Sequence, residues 1–227
     1  MKKIEAVLFD LDGTLIDSEQ YYFDCCAPVL KEHFDLSINM DDWMRDFVGH
    51  TVVQNVVLLK EKWKIDTTAD YLEKHMAVEA KKHDIRKVKL MPYVRELIHT
   101  LAEKKIRMAV VTSSPFEIAQ ITLKANDVFH YFDFFVTSDD VKNHKPDPEP
   151  YQLALNKLAL EDKSIIVLED SYAGLVSAQK AGLKVFAINS FEVLRKQLTQ
   201  ADALFYNAQE LYEKWFNIQP PVPKKTR

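Results

Sequence analysis

Ala6-Val7-Leu8-Phe9-Asp10-Leu11-Asp12-Gly13-Thr14 is four apolar residues in a row, followed at once by two carboxylates and a glycine. An unbroken apolar run of this length suits a strand buried on both faces, as in a parallel sheet, rather than a half-exposed antiparallel strand. The pattern recurs at 108–111, 134–136, 165–168 and 185–188, and more weakly at 203–205. Helix-like segments fall between these runs. Val94, Leu97, Ile98 and Leu101 make an amphipathic stripe over 94–103. Further helices are expected at 116–124 (after Pro115), 150–158 and 173–181, the last closed by Gly182. Strand alternating with helix implies right-handed crossovers and an α/β doubly wound, Rossmann-like parallel sheet.

One block breaks the alternation. Between the first and second runs there is no strand-like segment, only helical patterns at 21–33, 40–47, 52–63 and 68–83. The expected organisation is therefore an α/β core domain, 1–17 with 88–227, carrying a small all-helical domain at 18–87.

In open α/β sheets the ligand lies beyond the carboxyl ends of the strands. After the first run come Asp10, Asp12, Gly13 and Thr14; after the second, Thr112, Ser113 and Ser114; after the fourth, Glu169, Asp170 and Ser171. Lys145 lies between the third and fourth runs in Lys145-Pro146-Asp147-Pro148. Asp10, Asp12 and Asp170 at one edge would repel one another, and a hard divalent cation resolves this, with oxygen ligands of this kind suiting Mg²⁺. With Lys145 nearby, the cation could hold a phosphate dianion, and Thr112 could donate its hydroxyl to it. A carboxylate there can act as a nucleophile, giving an aspartyl-phosphate, and a second carboxyl two residues on can move protons. Gly13 lets the chain turn sharply beside the metal.

Asp-x-Asp-Gly also opens calcium loops, but here Leu15 and Ile16 follow, and the twelfth loop position is Tyr21 rather than Glu. Thr112 and Ser113 are also placed to cap the helix after Pro115, an N-terminus that can double as a phosphate site.

Taken together these segments resemble the haloacid dehalogenase-like hydrolases. Asp10-Leu11-Asp12-Gly13-Thr14-Leu15, Val110-Val111-Thr112-Ser113-Ser114, Lys145-Pro146-Asp147-Pro148 and Leu168-Glu169-Asp170-Ser171 with Ala173-Gly174 are similar to that family's four motifs, in order and spacing. The resemblance covers nearly all of 4–190, and the helical block sits where one subgroup, with β-phosphoglucomutase-like and phosphoglycolate phosphatase-like members, carries a small cap domain. It implies Asp10 as nucleophile and Asp12 as general acid/base, with the Asp12 backbone carbonyl on Mg²⁺. Thr112, Ser113 and Lys145 would bind phosphate. Asp170 would complete the metal shell, with Glu169 beside it or bound through water. Dehalogenating members lack the second aspartate; its presence as Asp12 favours phosphoryl transfer.

The resemblance also places Gly49-His50-Thr51 in a substrate-facing loop, with Tyr22 a further candidate for substrate contact; a solvent-exposed loop histidine is the alternative for His50. The β-phosphoglucomutase type carries a histidine and an arginine where this chain has Tyr22 and Val52. The expected function is therefore Mg²⁺-dependent hydrolysis of a small phosphorylated metabolite: a sugar phosphate, phosphoglycolate or nucleotide-type monoester. A phosphosugar mutase is the alternative, and a non-enzymatic phospho-acceptor a third reading.

Composition agrees with an ordinary soluble globular protein. Of 227 residues, 47% are hydrophobic and 28% charged, with a net charge of −4, so no basic field favours nucleic acid. The basic stretches 60–64 and 81–89 are interrupted, and Lys224, Lys225 and Arg227, after Pro220, Pro221 and Pro223, read as a frayed terminus. There is neither a signal-peptide pattern nor an apolar stretch long enough for a membrane span. Adjacent Cys25 and Cys26 read as buried thiols in a reducing compartment. A cytoplasmic monomer without membrane partners is expected. Only four glycines occur where average usage would give about 16, and Gly13, Gly49 and Gly174 lie within or beside these candidate site segments.

Overall fold

The computed structural model describes residues 4–160 and 164–216; the basic tail lies outside the described residues. Six strands form a single parallel sheet: β1 (Ala6–Phe9), β2 (Arg107–Val111), β3 (Phe134–Val136), β4 (Ile165–Glu169), β5 (Lys184–Ile188) and β6 (Ala203–Phe205). Their spatial order is β3-β2-β1-β4-β5-β6. The sequence thus runs outward in one direction and then, from β1 to β4, reverses across the sheet, and such a reversal opens a crevice at the strand ends. Register places Phe9 beside both Val110 and Leu168, so β1 ends one residue before β2 and β4 and all three release their following loops at one edge.

Ten α-helices accompany the strands among the described residues. The sheet and α5 (Val94–Glu103), α6 (Phe116–Ala125), α7 (Glu149–Leu158), α8 (Tyr172–Lys180), α9 (Glu192–Arg195) and α10 (Ala208–Phe216) belong to one compact unit, Met1–Asp17 with Lys89–Arg227. Ala6, Leu8, Ala109, Val111, Ile165 and Val167 share one core with Tyr151, Ala154 and Leu158 of α7 and Leu175 and Ala178 of α8. The intervening strand residues Val7, Phe9, Met108 and Val110 are equally buried, as period-2 geometry requires of a sheet covered on both faces. The α5 stripe is buried at Val94, Leu97, Ile98 and Leu101, and Thr100 bonds Tyr212 of α10 at 3.0 Å.

The second unit, Ser18–Val88, contains α1 (Glu19–Phe34), α2 (Met40–Asp46), α3 (Val52–Trp63) and α4 (Ala69–Ala80). Local capping chemistry starts three of these helices. Asn39 with Asp42 and Thr51 with Gln54 form capping boxes, and Thr68 accepts from the Tyr71 N–H. Trp43, Phe47 and Trp63 stack in sequence, with centroids 5.3 and 5.8 Å apart. Both cysteines are buried in α1, and burial pushes the Cys25 thiol up to about 11 and the Cys26 thiol up to about 12. Protonated thiols of this kind are poor nucleophiles. Among the described residues no helix is long and apolar enough to cross a membrane.

Two local expectations need correction. Glu169 is the last residue of β4 rather than part of the loop after it. Thr112 and Ser113 do not cap α6: the residue before that helix is Pro115, and the Phe116 N–H is taken at 2.9 Å by Asp139 from beyond β3.

Candidate active site

The loop after β1 is rigid because its apolar residues are roots. Leu11, Leu15 and Ile16 are fully buried, while Leu15 N–H and Ile16 N–H both bond the Leu11 carbonyl, at 2.8 and 3.0 Å. Gly13 N–H closes the turn on the Ile16 carbonyl at 2.9 Å. Gly13 has φ +77°, and a Cβ built there would overlap the Asp170 carboxylate, so the turn both needs a left-handed residue and leaves that carboxylate its space.

Lys145 joins the strand ends. Its Nζ donates to Asp10 Oδ1 at 2.6 Å, to Glu169 Oε1 at 2.6 Å and to the Val111 carbonyl at 2.8 Å. The lysine is 5% exposed, Asp10 7% and Glu169 0%, so these are buried ion pairs. Burial opposes the lysine's charge, but Asp10 and Glu169 outweigh it and hold the ammonium above its usual range. For Asp10 the balance goes the other way. Burial pushes its carboxyl up to about 8 against the pull of Lys145, and the charges of Glu169 and Asp12 push in the same direction.

Glu169 is held at both oxygens. Besides Lys145, Oε1 accepts from the Tyr151 hydroxyl at 2.8 Å; Oε2 accepts from Ser171 Oγ at 3.1 Å and Asp170 N–H at 3.2 Å. Burial and the Glu169 charge keep Tyr151 neutral, well above its usual range, so its hydroxyl is the donor. Gly174, in the first turn of α8, leaves the room that the Glu169 carboxylate fills, since a Cβ there would overlap it. Asn189, at the end of β5, donates from Nδ2 to the Asp170 carbonyl at 3.0 Å.

Asp10, Glu169 and Asp170 present oxygens that lie within 4.8 Å of one another, all on buried residues. Three carboxylates against the single ammonium of Lys145 leave −3 + 1 = −2 at full ionisation. A hard divalent cation matches both that charge and that donor set. Glu169 is thus the third carboxylate of this side-chain cluster; the ligation expected of Asp12 runs through its backbone carbonyl, which such a cluster does not include. The Asp12 carboxylate accepts from Ser114 Oγ at 2.6 Å. Thr112 is buried, and its Oγ1 accepts from the Ser114 N–H at 3.0 Å, which leaves its own hydroxyl proton to give. Ser113, by contrast, is exposed.

Tyr22, Gly49, His50 and Thr51 all lie in the helical unit. Tyr22 packs edge-on to Tyr21 in α1, with centroids 5.6 Å apart; Gly49 turns the chain at φ +78°; His50 is exposed; and Thr51 caps α3. Two site residues lie outside the sequence reading, Tyr151 and Asn189, and a third, Ser114, stands in it as a strand-end hydroxyl with no role of its own. The strand-end rule, carried on to the fifth run, points to Asn189. Ser114 could not be told from Ser113 without the turn that buries one and exposes the other. Tyr151 reads in sequence as an ordinary core aromatic of a helix.

The sequence profile of the haloacid dehalogenase-like hydrolases matches residues 7–188, which takes in every one of these core residues except Asn189. The chain belongs to that family. It is similar to the phosphorylated carbohydrates phosphatase of Thermotoga maritima, with 34% identity over 181 residues, covering 80% of this chain and 83% of that one. It is also 30% identical to the validoxylamine A 7′-phosphate phosphatase of Streptomyces hygroscopicus subsp. limoneus, across 95% of this chain and 99% of the relative. Among solved structures, a Thermotoga maritima protein provisionally named a β-phosphoglucomutase superposes with a TM-score of 0.71 at 30% identity, over 95% of this chain and all of that one. With such relatives this member of the haloacid dehalogenase-like family is an enzyme of the phosphatase kind.

Proposed function

We propose that the protein is a Mg²⁺-dependent phosphatase that hydrolyses a small phosphorylated metabolite through an aspartyl-phosphate on Asp10. The observation that carries this reading is the Lys145 ammonium bridging buried Asp10 and Glu169 at 2.6 Å each, with Asp170 beside them. Asp10, Asp170 and the Asp12 backbone carbonyl would hold Mg²⁺, with Glu169 close by. Bound there, the cation would neutralise charge on the phosphoryl oxygens and favour the ionised form of Asp10.

Asp10 attacks phosphorus with one carboxylate oxygen, and the bond to the leaving alcohol breaks. Asp12 gives that alcohol its proton. Water then attacks the acyl-phosphate; Asp12 takes the water's proton, and the P–O bond to Asp10 breaks to release inorganic phosphate. Lys145 and Thr112 donate to the phosphoryl oxygens through both steps, and Ser113 does so from its exposed position. Ser114 keeps the Asp12 carboxylate at the strand edge between turnovers.

A sugar phosphate or similar polyol phosphate is the preferred substrate class, supported by the phosphorylated carbohydrate and validoxylamine phosphate that the named relatives act on. We assign substrate selection to the helical unit, through Tyr22, Gly49, His50 and Thr51. The mutase reading stays second, because the positions that carry histidine and arginine in that type hold Tyr22 and Val52. The buried, reduced pair Cys25 and Cys26 supports action in the cytoplasm, and we take the monomer as the working form.

A colorimetric phosphate-release panel of sugar phosphates, phosphoglycolate and nucleoside monophosphates, run with Mg²⁺ and with EDTA, tests the reading. Mg²⁺-dependent release from at least one class is expected. Isomerisation of β-glucose 1-phosphate with no net release would instead establish the mutase. The metal assignment has its own check. Asp170→Asn should weaken Mg²⁺ binding in titration calorimetry by about 10- to 100-fold, and an unchanged affinity places the cation elsewhere.

A further inference from the structure

We infer that Tyr151 is a positioning residue for Lys145, acting through Glu169, and so sets how tightly the site grips a phosphate group. The inference rests on the phosphatase reading above. Tyr151 is the third residue of α7, six positions after Lys145, and is fully buried.

Two separate contacts link it to the lysine. Its hydroxyl donates at 2.8 Å to Glu169 Oε1, the same oxygen that receives Lys145 Nζ at 2.6 Å. Its ring also lies under the ammonium, with Nζ 5.1 Å from the centroid. An aromatic face attracts such a cation, and the attraction grows when both are desolvated.

A lysine is a compact charge on a flexible four-carbon stem, so its position depends on its anchors. Here these are the Val111 carbonyl, Asp10 and Glu169. The carbonyl is fixed by the sheet. Asp10, as the nucleophile, must be free to form and break a bond to phosphorus. Glu169 is then the anchor that has to stay still throughout. Ser171 Oγ and Asp170 N–H hold Oε2, and Tyr151 is the donor other than the lysine that holds Oε1. Without that hydroxyl the carboxylate can follow the lysine, and the ammonium loses its fixed place opposite the phosphate.

The test uses Tyr151→Phe, which keeps the ring and removes the hydroxyl. Calorimetric binding of inorganic phosphate to the full chain in saturating Mg²⁺ is the main readout, with Mg²⁺ affinity and melting temperature measured alongside. The expected result is about tenfold weaker phosphate binding with Mg²⁺ affinity within about twofold of the parent, because the hydroxyl bonds Glu169 and none of the proposed ligands Asp10, Asp170 and the Asp12 carbonyl. In a Lys145→Met background the same substitution should change phosphate binding less than twofold, since the group it positions is gone.

Unchanged phosphate binding in Tyr151→Phe overturns the inference. So does an equal tenfold loss in the Lys145→Met background, which would show the tyrosine acting by another route. Glu169→Gln probes the same link from the acceptor side and serves if the phenylalanine variant melts too low to assay. It should weaken phosphate binding at least as much, and parental binding there also overturns the inference. Failure of the phosphatase reading looks different: the parent would release no phosphate from any substrate class, whatever residue 151 does to phosphate binding.

Discussion

Asp10→Asn should stop phosphate release, lowering kcat by at least about a thousandfold, while the protein stays as stable as its parent or becomes more so. The two halves of this expectation have different causes. Asparagine matches aspartate in shape and still accepts from Lys145 through its amide oxygen, so the local packing is kept. It lacks an anionic oxygen that can form a bond to phosphorus. The stability half follows from the burial of Asp10 at 7% exposure, which raises its carboxyl from 3.8 to about 8. Between those values, in the absence of added cation, the folded chain holds a proton that the unfolded chain has already lost. Stability from this group is therefore present at low pH and is lost as pH climbs through the window toward 8. Asparagine does not titrate, so at pH 8 without Mg²⁺ the variant should melt no lower than the parent. Phosphate release within tenfold of the parent would remove Asp10 from its assigned role. A large fall in melting temperature would show instead that its charge is structural.

Much of this site was legible because carboxylates, hydroxyls and one lysine sat at the ends of apolar runs, and a parallel sheet must bring such ends to one edge. Asp10 and Asp170 follow adjacent strands β1 and β4, and the structure seats both on Lys145 or within its cluster. The apolar run 165–168 is one residue shorter than the strand it marks, and that single residue matters. Glu169 looked like a loop residue beside Asp170, but as the last strand residue it points into the core and becomes the buried anchor of Lys145.

The partner of the Asp12 carboxylate depends on local geometry in the same way. Spacing along the chain says that Asp10 and Asp12 are neighbours, but the tight turn from Leu11 to Ile16 sends their side chains to different partners. Tyr151 shows a different limit. Hydrophobic periodicity assigns a helical tyrosine to the core, and so it is, yet nothing in the pattern says that its hydroxyl meets a carboxylate from a strand 14 residues downstream in sequence at its first residue. Contacts of that kind come from the meeting of two elements and not from either alone.

The second large effect is expected at Gly13. Gly13→Val places a β-branched side chain at φ +77°, a region where such residues are genuine outliers, and drives its Cβ into the Asp170 carboxylate. The backbone strain alone costs about 1–3 kcal/mol, and the loop has little freedom to relieve it. Leu11, Leu15 and Ile16 are each fully buried on either side, and the Leu15 carbonyl is tied to the Met91 N–H at 2.9 Å. The side chain that can yield is Asp170. Its displacement should weaken Mg²⁺ binding and kcat/KM together by about 10- to 100-fold or more, with a lowered melting temperature. Gly182→Val separates strain from displacement of the site. Gly182 also has positive φ, +83°, but it ends α8 at the opposite end from Asp170. That variant should melt lower while its Mg²⁺ affinity stays parental. If Gly13→Val binds Mg²⁺ as the parent does, the turn is a structural element only. If both variants lose the cation equally, the loss is general loosening of the fold and not the removal of the space that Gly13 keeps for Asp170.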